Sequence, residues 1–258
     1  MKTTDAPLPH QYDSLFYRYQ REGSLRSARV VLPVIVHSCK AKSLLDIGCG
    51  AGAWLSVAAS LGLNDIAGVD GDYVDRSMLL VDEKHFTPGD ITKPFDLGRT
   101  FDIVQCLEVA EHVPNINSAT LVSNIVRHGH LILFSAAVPG QGGEDHINEQ
   151  PYEYWRDLFA AEGYRLFDFV RSHIIDNEEV EPWYRYNLML FAHDSIVESL
   201  PVEIIRTRVA DTAKIPDVSP LAYRIQKSLL RRLPNSLVSK IAVWKHQRVV
   251  ETLQQQQN

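Results

Sequence analysis

A glycine-rich turn directly after a short apolar strand constrains this chain more than any other feature. Leu44 to Ile47 has the pattern of a buried strand end, three alternating glycines follow at Gly48 to Gly52, and Ala53 to Leu61 has a helical pattern. Glycines there let the backbone turn tightly and let a ligand approach closely, and the helix start presents free N–H groups. The pattern predicts the first strand–turn–helix unit of a doubly wound α/β sheet, with a nucleotide-like ligand at the turn.

Two acidic residues beside this turn indicate the kind of ligand. The turn also fits the loose dinucleotide pattern G-x-G-x-x-G/A, which alone is a weak signal. Asp46, just before the glycines, would repel a pyrophosphate but attract the ammonium group of an amino-acid-like ligand. Asp70 ends the next predicted strand, about twenty residues after the glycines, where an acid can accept both ribose hydroxyls. Its alternative role is a cap for the turn at Gly71-Asp72.

The remaining apolar segments complete a large α/β domain. Seven strand-like segments alternate with helical ones, at residues 44–47, 66–70, 86–91, 101–107, 130–136, 164–171 and 187–193. They predict a doubly wound, mostly parallel, seven-stranded Rossmann-like sheet. We divide the chain into an N-terminal helical segment (1–40, with helices over 12–20 and 24–38), a core (41–195) and a C-terminal basic helical extension (196–258).

Three motifs resemble those of the class I S-adenosylmethionine (SAM)-dependent methyltransferases. The run from Asp46 to Gly52 resembles the family's first motif, and Gly89-Asp90-Ile91 resembles the motif whose Asp accepts from the adenine amino group while the next N–H bonds the ring. The run from Glu108 to Val113 resembles the E-x-x-E-H-V signature of a subgroup that includes ubiquinone-type O-methyltransferases. The resemblance covers roughly residues 43–170 and implies SAM as cofactor, S-adenosylhomocysteine (SAH) as product and N-terminal helices that form a lid over the cleft.

The resemblance also assigns the residues that would hold the cofactor. They lie at the ends of the first four predicted strands: Asp46, Gly48, Cys49, Gly50, Gly52, Asp70, Gly71, Asp90, Ile91, Cys106 and Leu107. For Asp90 the alternative is a plain turn in which the carboxylate satisfies the backbone. For Cys49 the alternative to cofactor binding is the packing of a small side chain.

Histidines near the cleft suggest how an acceptor is activated. Methyl transfer from a sulfonium is an in-line displacement that depends on alignment and desolvation, and an oxygen nucleophile must also lose a proton. The catalytic candidates are Glu111 and His112 after the fourth strand, and His146, beside Asp145 in the glycine-rich loop 138–148. Each histidine could instead have a structural role. We predict methylation of a hydroxyl on a small molecule or a saccharide.

Three other functions stay open as alternatives. Glu108, Glu111, His112 and a distant loop histidine resemble the metal-binding set of small-RNA 2′-O-methyltransferases, with Mg²⁺, Mn²⁺ or Zn²⁺ on a sugar diol. The same run occurs in methyltransferases that use no metal, so we predict no metal site. A non-catalytic scaffold with the same fold would lack SAM binding. A nicotinamide enzyme is disfavoured by Asp46 and by Gly89-Asp90-Ile91.

Charge separates the C-terminal extension from the rest of the chain. The protein has 26 basic and 32 acidic residues, and residues 221–250 contain seven of the basic ones and no acid. The acidic remainder argues against long nucleic acid as a partner. Leu221, Ile225, Leu229 and Leu233 recur every four residues and predict a basic amphipathic helix, and one possible role of such a helix is contact with a membrane surface. In that case the acceptor could be lipid-linked; docking onto the chain's own body or onto a second copy in a homodimer is the alternative.

The cysteines indicate a compartment. Cys39, Cys49 and Cys106 are odd in number, have no framework spacing and favour reduced thiols. The chain has neither a basic-then-apolar leader nor an apolar run long enough to cross a bilayer. We therefore expect a cytoplasmic protein, with any membrane contact peripheral and at the inner face.

Overall fold

The protein is a seven-stranded sheet covered by helices on both faces. The computed structural model describes residues 14–234, 237–241, 243, 244 and 248, with side chains from residue 21 onward. The strands are β1 (Ser43–Ile47), β2 (Asp65–Asp70), β3 (Phe86–Pro88), β4 (Ile103–Leu107), β5 (Leu131–Ser135), β6 (Tyr164–Phe167) and β7 (Met189–His193). The α-helices are α1 (Ser14–Cys39), α2 (Ala53–Ser60), α3 (Ser118–Arg127), α4 (Tyr152–Ala161), α5 (Arg171–Ile174), α6 (Pro182–Asn187), α7 (Val202–Ile205) and α8 (Leu221–Leu230).

The strand order places a ligand crevice beside the glycine turn. The order is β3-β2-β1-β4-β5-β7-β6, with β7 antiparallel between β5 and β6 and the other neighbours parallel. The order reverses between β1 and β4, which are paired with Leu45 opposite Val104. In a doubly wound sheet the ligand crevice opens at the carboxyl ends of the strands at this point. The predicted α/β fold is confirmed, and the loops after β1 and β4 flank the crevice.

Two apolar cores hold the strands in place. Leu44 of β1 packs on one face with residues of α1 and α2, whereas Leu45 packs on the other face with residues of α3 and α4. All five residues of β1 are buried, as expected of a strand covered on both sides. Burial of a side chain such as Leu32 or Phe159 stabilises the fold by roughly 1.5–3 kcal/mol. The loops at the strand ends therefore start from fixed positions.

The N-terminal segment is one helix where the sequence predicted two, and that prediction is wrong. A glycine within a helix costs only about 1 kcal/mol, and Gly23 allows close packing here, since a Cβ would lie 2.6 Å from Oε1 of Glu181. Arg26 donates to the same Oε1 (2.8 Å), and the Ser27 hydroxyl donates to the Gly23 carbonyl oxygen (2.8 Å). Residues 1–13 of the predicted lid lie outside the described residues.

Several strand boundaries also differ from the prediction, three of them for a reason visible in the structure. The third strand ends at Pro88, because the chain turns at Asp90, whose Oδ1 accepts from the Thr92 backbone N–H (3.0 Å). The strand predicted over 164–171 ends at Phe167, because Asp168 turns to bind Arg171 through two 2.7 Å hydrogen bonds. Asn187, predicted as the start of the last strand, ends helix α6 instead. This last difference brings Asn187 to the site described below.

The C-terminal segment packs on the body through an ion pair whose lysine is buried. Lys227 of α8 is buried, and its Nζ lies 2.6 Å from Oδ2 of Asp217. After Pro234 the described residues 237–241 are helical again. No helix within the described part of the chain combines the length and the hydropathy needed to cross a bilayer.

Candidate functional site

The glycine turn after β1 leaves open space at Gly50. Gly48, Gly50 and Gly52 have φ angles of +81°, +51° and +78°, in the left-handed region that favours glycine. The Gly48 N–H donates to the Val69 carbonyl oxygen (2.8 Å), which ties the turn to β2. A Cβ built on Gly50 would have no described atom within 4 Å. At Gly50 a ligand can therefore approach the backbone without a side chain in the way.

Asp70 is fixed against this turn from the end of β2. It is 6% exposed, and its Oδ2 accepts from the Gly50 N–H at 2.6 Å. Its Oδ1 accepts from the Gly71 N–H (2.6 Å) and from the Tyr73 hydroxyl (2.5 Å). The structure thus brings together the glycines and the acid that the sequence placed about twenty residues apart.

Asp46 is the second buried acid at the turn. It is 3% exposed and lies opposite Gln105 in the β1–β4 pairing. Burial raises the pKa of Asp46 to about 7; the Gln105 side chain counteracts this rise, and the Asp70 carboxylate adds to it. A cation placed against Asp46 would favour the ionised form.

The turn after β3 lies beside Asp70. The Gly89 N–H donates to the Asp70 carbonyl oxygen (2.8 Å). Asp90 is exposed; its Oδ1 accepts from the backbone N–H (3.0 Å) and the hydroxyl (2.5 Å) of Thr92, and its Oδ2 lies 2.8 Å from Nζ of Lys93. The bonds from Lys93 and Thr92 lower the pKa of Asp90 to about 2. The Asp90 carboxylate therefore caps its own turn, which was the alternative to adenine binding in the sequence analysis.

The other predicted cofactor neighbours are apolar and mostly buried. Cys49 packs against Gly68, where a Cβ would lie 2.6 Å from Sγ, and Cys106 is fully buried. Burial raises the pKa of both thiols, so they stay protonated. Leu107 is 7% exposed, and Ile91 packs against one of the two apolar cores. These side chains shape the crevice by filling space.

A polar network begins where β4 ends. Glu108 has φ +53°, in the left-handed region that is uncommon for a side chain of this size. Its Oε2 accepts from Nε2 of Gln141 (2.9 Å) and its Oε1 from Nδ2 of Asn187 (3.3 Å). Asn187 also donates to Oε1 of Gln141 (2.8 Å) and accepts from the Tyr152 hydroxyl (3.0 Å). Three distant segments therefore meet at Glu108, and Tyr152 joins them through Asn187.

Glu111 is a buried carboxyl next to this network. It is 1% exposed, and neither side-chain oxygen has a hydrogen-bond partner among the described residues. Burial, and then the nearby Glu108, raise the pKa of Glu111 well above its usual value. Its backbone carbonyl accepts from the N–H groups of Ile147 (2.9 Å) and Asn148 (3.0 Å), which fixes the glycine-rich loop to the end of β4.

The two candidate histidines meet at this point. The rings of His112 and His146 pack edge to face with centroids 5.0 Å apart. His112 lies in a short turn after β4, and its Nδ1 is 3.2 Å from the Asp145 carbonyl oxygen. Burial and the neighbouring His146 lower the pKa of His112. One potential ligand atom from each of Glu111, His112 and His146 lies within 4.8 Å of the others.

The partner of His146 is Glu149, which the sequence reasoning missed. We expected Asp145 as its polar neighbour, but Nδ1 of His146 lies 3.0 Å from Oε1 of Glu149. The same carboxylate accepts from the N–H groups of Gly140 (2.7 Å) and Gly142 (2.8 Å). Burial opposes ionisation of Glu149, but its bonds from His146 and the two N–H groups lower its pKa overall. The three-residue spacing between His146 and Glu149 was the available signal.

Helix α8 covers this loop. At Gly140 (φ +85°) a Cβ would lie 2.2 Å from the Lys227 carbonyl oxygen, so the helix backbone rests directly on the loop. A cavity of about 220 Å³ is lined on one side by His146 and Glu149 and on the other by Leu230 and Arg231. The C-terminal extension is therefore part of the wall beside the candidate base.

Comparisons with known proteins agree with this geometry. A family model described as a methyltransferase domain matches residues 17–173. The chain is 27% identical over 180 residues to the ubiquinone biosynthesis O-methyltransferase of Pseudomonas syringae pv. tomato (63% of this chain, 71% of that protein). It is 26% identical to the enzyme of the same name from Pseudomonas putida strain GB-1 (63% and 72%).

Solved structures share the fold. The sugar N-methyltransferase KedS8 from Streptoalloteichus sp. ATCC 53650 aligns with a TM-score of 0.56 at 19% identity, covering 75% of this chain and 98% of that one. DesVI of Streptomyces venezuelae aligns with a TM-score of 0.51 at 15% identity, covering 71% and 100%. Because the family model spans more than half of the chain and the fold agrees, this protein belongs to the class I methyltransferases and is an enzyme that uses SAM as its cofactor.

Proposed function

We propose that this enzyme methylates a hydroxyl group of a small molecule or saccharide, and that His146 removes the hydroxyl proton. The observation that carries the proposal is the 3.0 Å contact between Nδ1 of His146 and the Glu149 carboxylate. An ionised carboxylate only accepts hydrogen bonds, so Nδ1 is the donor, and in the neutral imidazole Nε2 is then the acceptor. An imidazole oriented in this way is suited to act as general base toward an oxygen nucleophile.

The glycine turn is the proposed cofactor site. In this proposal Asp46 faces the ammonium group, the backbone at Gly50 approaches the cofactor, and Asp70 accepts from the ribose hydroxyls. The turn at Asp90 and Ile91 faces the adenine, in competition with the bonds that Asp90 makes to Thr92 and Lys93. The bound cofactor supplies a methyl group made electrophilic by its sulfonium centre. The open space at Gly50 and the two buried acids support this assignment.

The polar network after β4 is the proposed acceptor wall. Glu108 and Gln141 are partly exposed at the same edge of the sheet as the glycine turn, and they carry carboxyl and amide groups that can bind acceptor hydroxyls. Displacement at a sulfonium depends chiefly on alignment, which such fixed groups provide. The curated relatives are named O-methyltransferases, which agrees with oxygen as the accepting atom.

The test is an acceptor screen combined with one pair of variants. Purified protein is incubated with SAM and a panel of saccharides, amino sugars and phenols; SAH formation is measured, and the methylated atom is identified by NMR. We expect His146→Gln to lower kcat by about 10²- to 10⁴-fold while SAH binding is unchanged. His130→Gln is the matched control, since His130 lies near Ser195 at the opposite sheet edge. Full activity of His146→Gln, or a product methylated on nitrogen, would reject the proposal.

A metal-assisted reaction on a sugar diol is the second candidate. It is favoured by the buried Glu111 carboxyl, which has no hydrogen-bond partner among the described residues and lies within ligand distance of His112 and His146. One carboxylate and two imidazoles suit Zn²⁺ or Mn²⁺ better than Mg²⁺. A cation there would lower the pKa of an acceptor hydroxyl. Activity that is abolished by EDTA and restored by one metal, with metal binding lost in Glu111→Gln, would favour this candidate over the first.

A further inference from the structure

The outer face of helix α8 is apolar although the helix lies on the surface. Leu221, Ile225 and Leu229 are 64%, 53% and 58% exposed, and their spacing of four residues places them on one side. The opposite side packs on the body through the buried Lys227 and through Tyr223, whose ring lies 5.6 Å from that of Tyr186. The exposed leucines and isoleucine therefore form a strip that points away from the protein. We call these three residues the α8 strip.

Basic residues flank the α8 strip and continue beyond it. Arg224, Arg231, Arg232 and Lys240 are exposed, and none of the four forms an ion pair with another described residue. Residues 221–250 contain no acidic residue. Two further large apolar side chains are exposed in the following helical segment, Leu237 (43%) and Trp244 (57%). An apolar strip with cationic borders is complementary to an anionic lipid surface, in which acyl chains lie beneath charged head groups.

We infer that the α8 strip and its basic borders dock this enzyme on an anionic membrane surface. Lys227 differs from Arg224, Arg231, Arg232 and Lys240 because it points inward to Asp217, and that ion pair holds the helix on the body in the docking orientation. The contact is peripheral, since the strip is only as deep as one row of side chains. Helix α8 also rests on the loop that carries His146. If the proposed function holds, docking places the acceptor wall next to the bilayer, where an amphiphilic or lipid-linked hydroxyl compound is concentrated.

Vesicle flotation tests the docking without using activity. The full-length protein is mixed with vesicles of phosphatidylcholine alone or with 30% phosphatidylglycerol, at about 0.1 M and about 0.5 M NaCl. We expect flotation with the anionic vesicles only, weakened at the higher salt because screening shortens the reach of the arginines. The double variant Ile225→Gln/Leu229→Gln and the double variant Arg224→Gln/Arg232→Gln should each reduce partitioning on the order of tenfold.

Two control variants and an independent calorimetric measurement accompany the flotation assay. Val202→Gln replaces an exposed apolar residue elsewhere (58% exposed), and Arg29→Gln removes an exposed charge from α1; both should float like the wild type. Calorimetric titration with SAH shows that every variant is folded, and a failure of SAH binding in the wild type would reject the cofactor proposal while leaving the docking result intact. Docking is overturned if the wild type does not float, or floats equally with neutral vesicles. It is also overturned if light scattering shows a dimer that Ile225→Gln/Leu229→Gln dissociates.

Discussion

The buried carboxyl of Asp46 leads to a prediction that separates folding from cofactor binding. Burial raises its pKa to about 7 from an ordinary value of 3.8. A carboxyl whose pKa is raised by folding stabilises the fold while it is protonated; this contribution is complete below about pH 4 and is lost as the pH rises through 7. A shift of this size, at about 1.4 kcal/mol per pKa unit, corresponds to a loss of about 4 kcal/mol of stability.

We expect Asp46→Asn to remove this loss, because the amide has the same shape and stays uncharged at every pH. The free energy of unfolding of the variant should exceed that of the wild type by about 2–4 kcal/mol at pH 8, and the difference should shrink toward pH 4. Urea denaturation of the ligand-free protein at pH 5 and pH 8 measures it. Asp90→Asn is the control: Asp90 is exposed with its pKa lowered to about 2, so its ionisation does not change over this range.

The same variant should lose the cofactor. Asp46→Asn cannot attract an ammonium group, so SAH binding should weaken at least tenfold in calorimetry, although the variant is the more stable protein. Wild-type affinity should rise between pH 6 and pH 8 as Asp46 ionises. The reasoning is refuted if the stability difference is the same at pH 5 and pH 8, or if Asp46→Asn binds SAH as the wild type does.

Three further predictions follow from contacts in the structure. Gly50→Ala and Gly62→Ala both place a Cβ in open space at a positive φ, so each should lose roughly 1–2 kcal/mol of stability, but calorimetry should show weaker SAH binding only for Gly50→Ala. Arg171→Met should lower the free energy of unfolding, measured in urea, by about 3–5 kcal/mol, because the fully buried guanidinium forms two hydrogen bonds with Asp168. The double variant Arg171→Met/Asp168→Asn should regain part of this lost stability. Lys227→Met should release α8 and speed tryptic cleavage in this helix, with SAH binding unchanged; equal cleavage rates would show that the ion pair with Asp217 does not hold the helix.

Local sequence signals were sufficient for the sheet and for the glycine turn. The turn after β1 is specified by consecutive residues: apolar Leu44 and Leu45, then glycines whose positive φ angles match the prediction of a tight turn. The position of Asp70 could be predicted because β2 runs parallel to β1, so that the carboxyl end of β2 lies next to the turn. In the structure the Gly50 N–H donates to the Asp70 carboxylate. Features that depend on one segment, or on two adjacent strands, could therefore be predicted from the sequence.

Contacts between distant segments could not be predicted from the sequence. Glu108 and Asn187 are 79 residues apart and meet only because α6 ends where a strand had been expected. Glu149 lies one residue beyond the loop that we singled out, and its role depends on the loop folding back so that Gly140 and Gly142 donate to it. The single helix α1 was missed because packing against Glu181 outweighs the weak helix propensity of Gly23.

The position of β7 has a consequence for the order in which the chain can fold. Within the sheet β6 pairs only with β7, which lies between β6 and β5, yet β7 is synthesised last. Until His193 has left the ribosome, β5 keeps an open edge and β6 has no strand partner, and such edges promote aggregation. A fragment cut at residue 173, where the family match ends, would carry this open edge permanently. Any soluble expression of the catalytic sheet alone must therefore continue beyond residue 193.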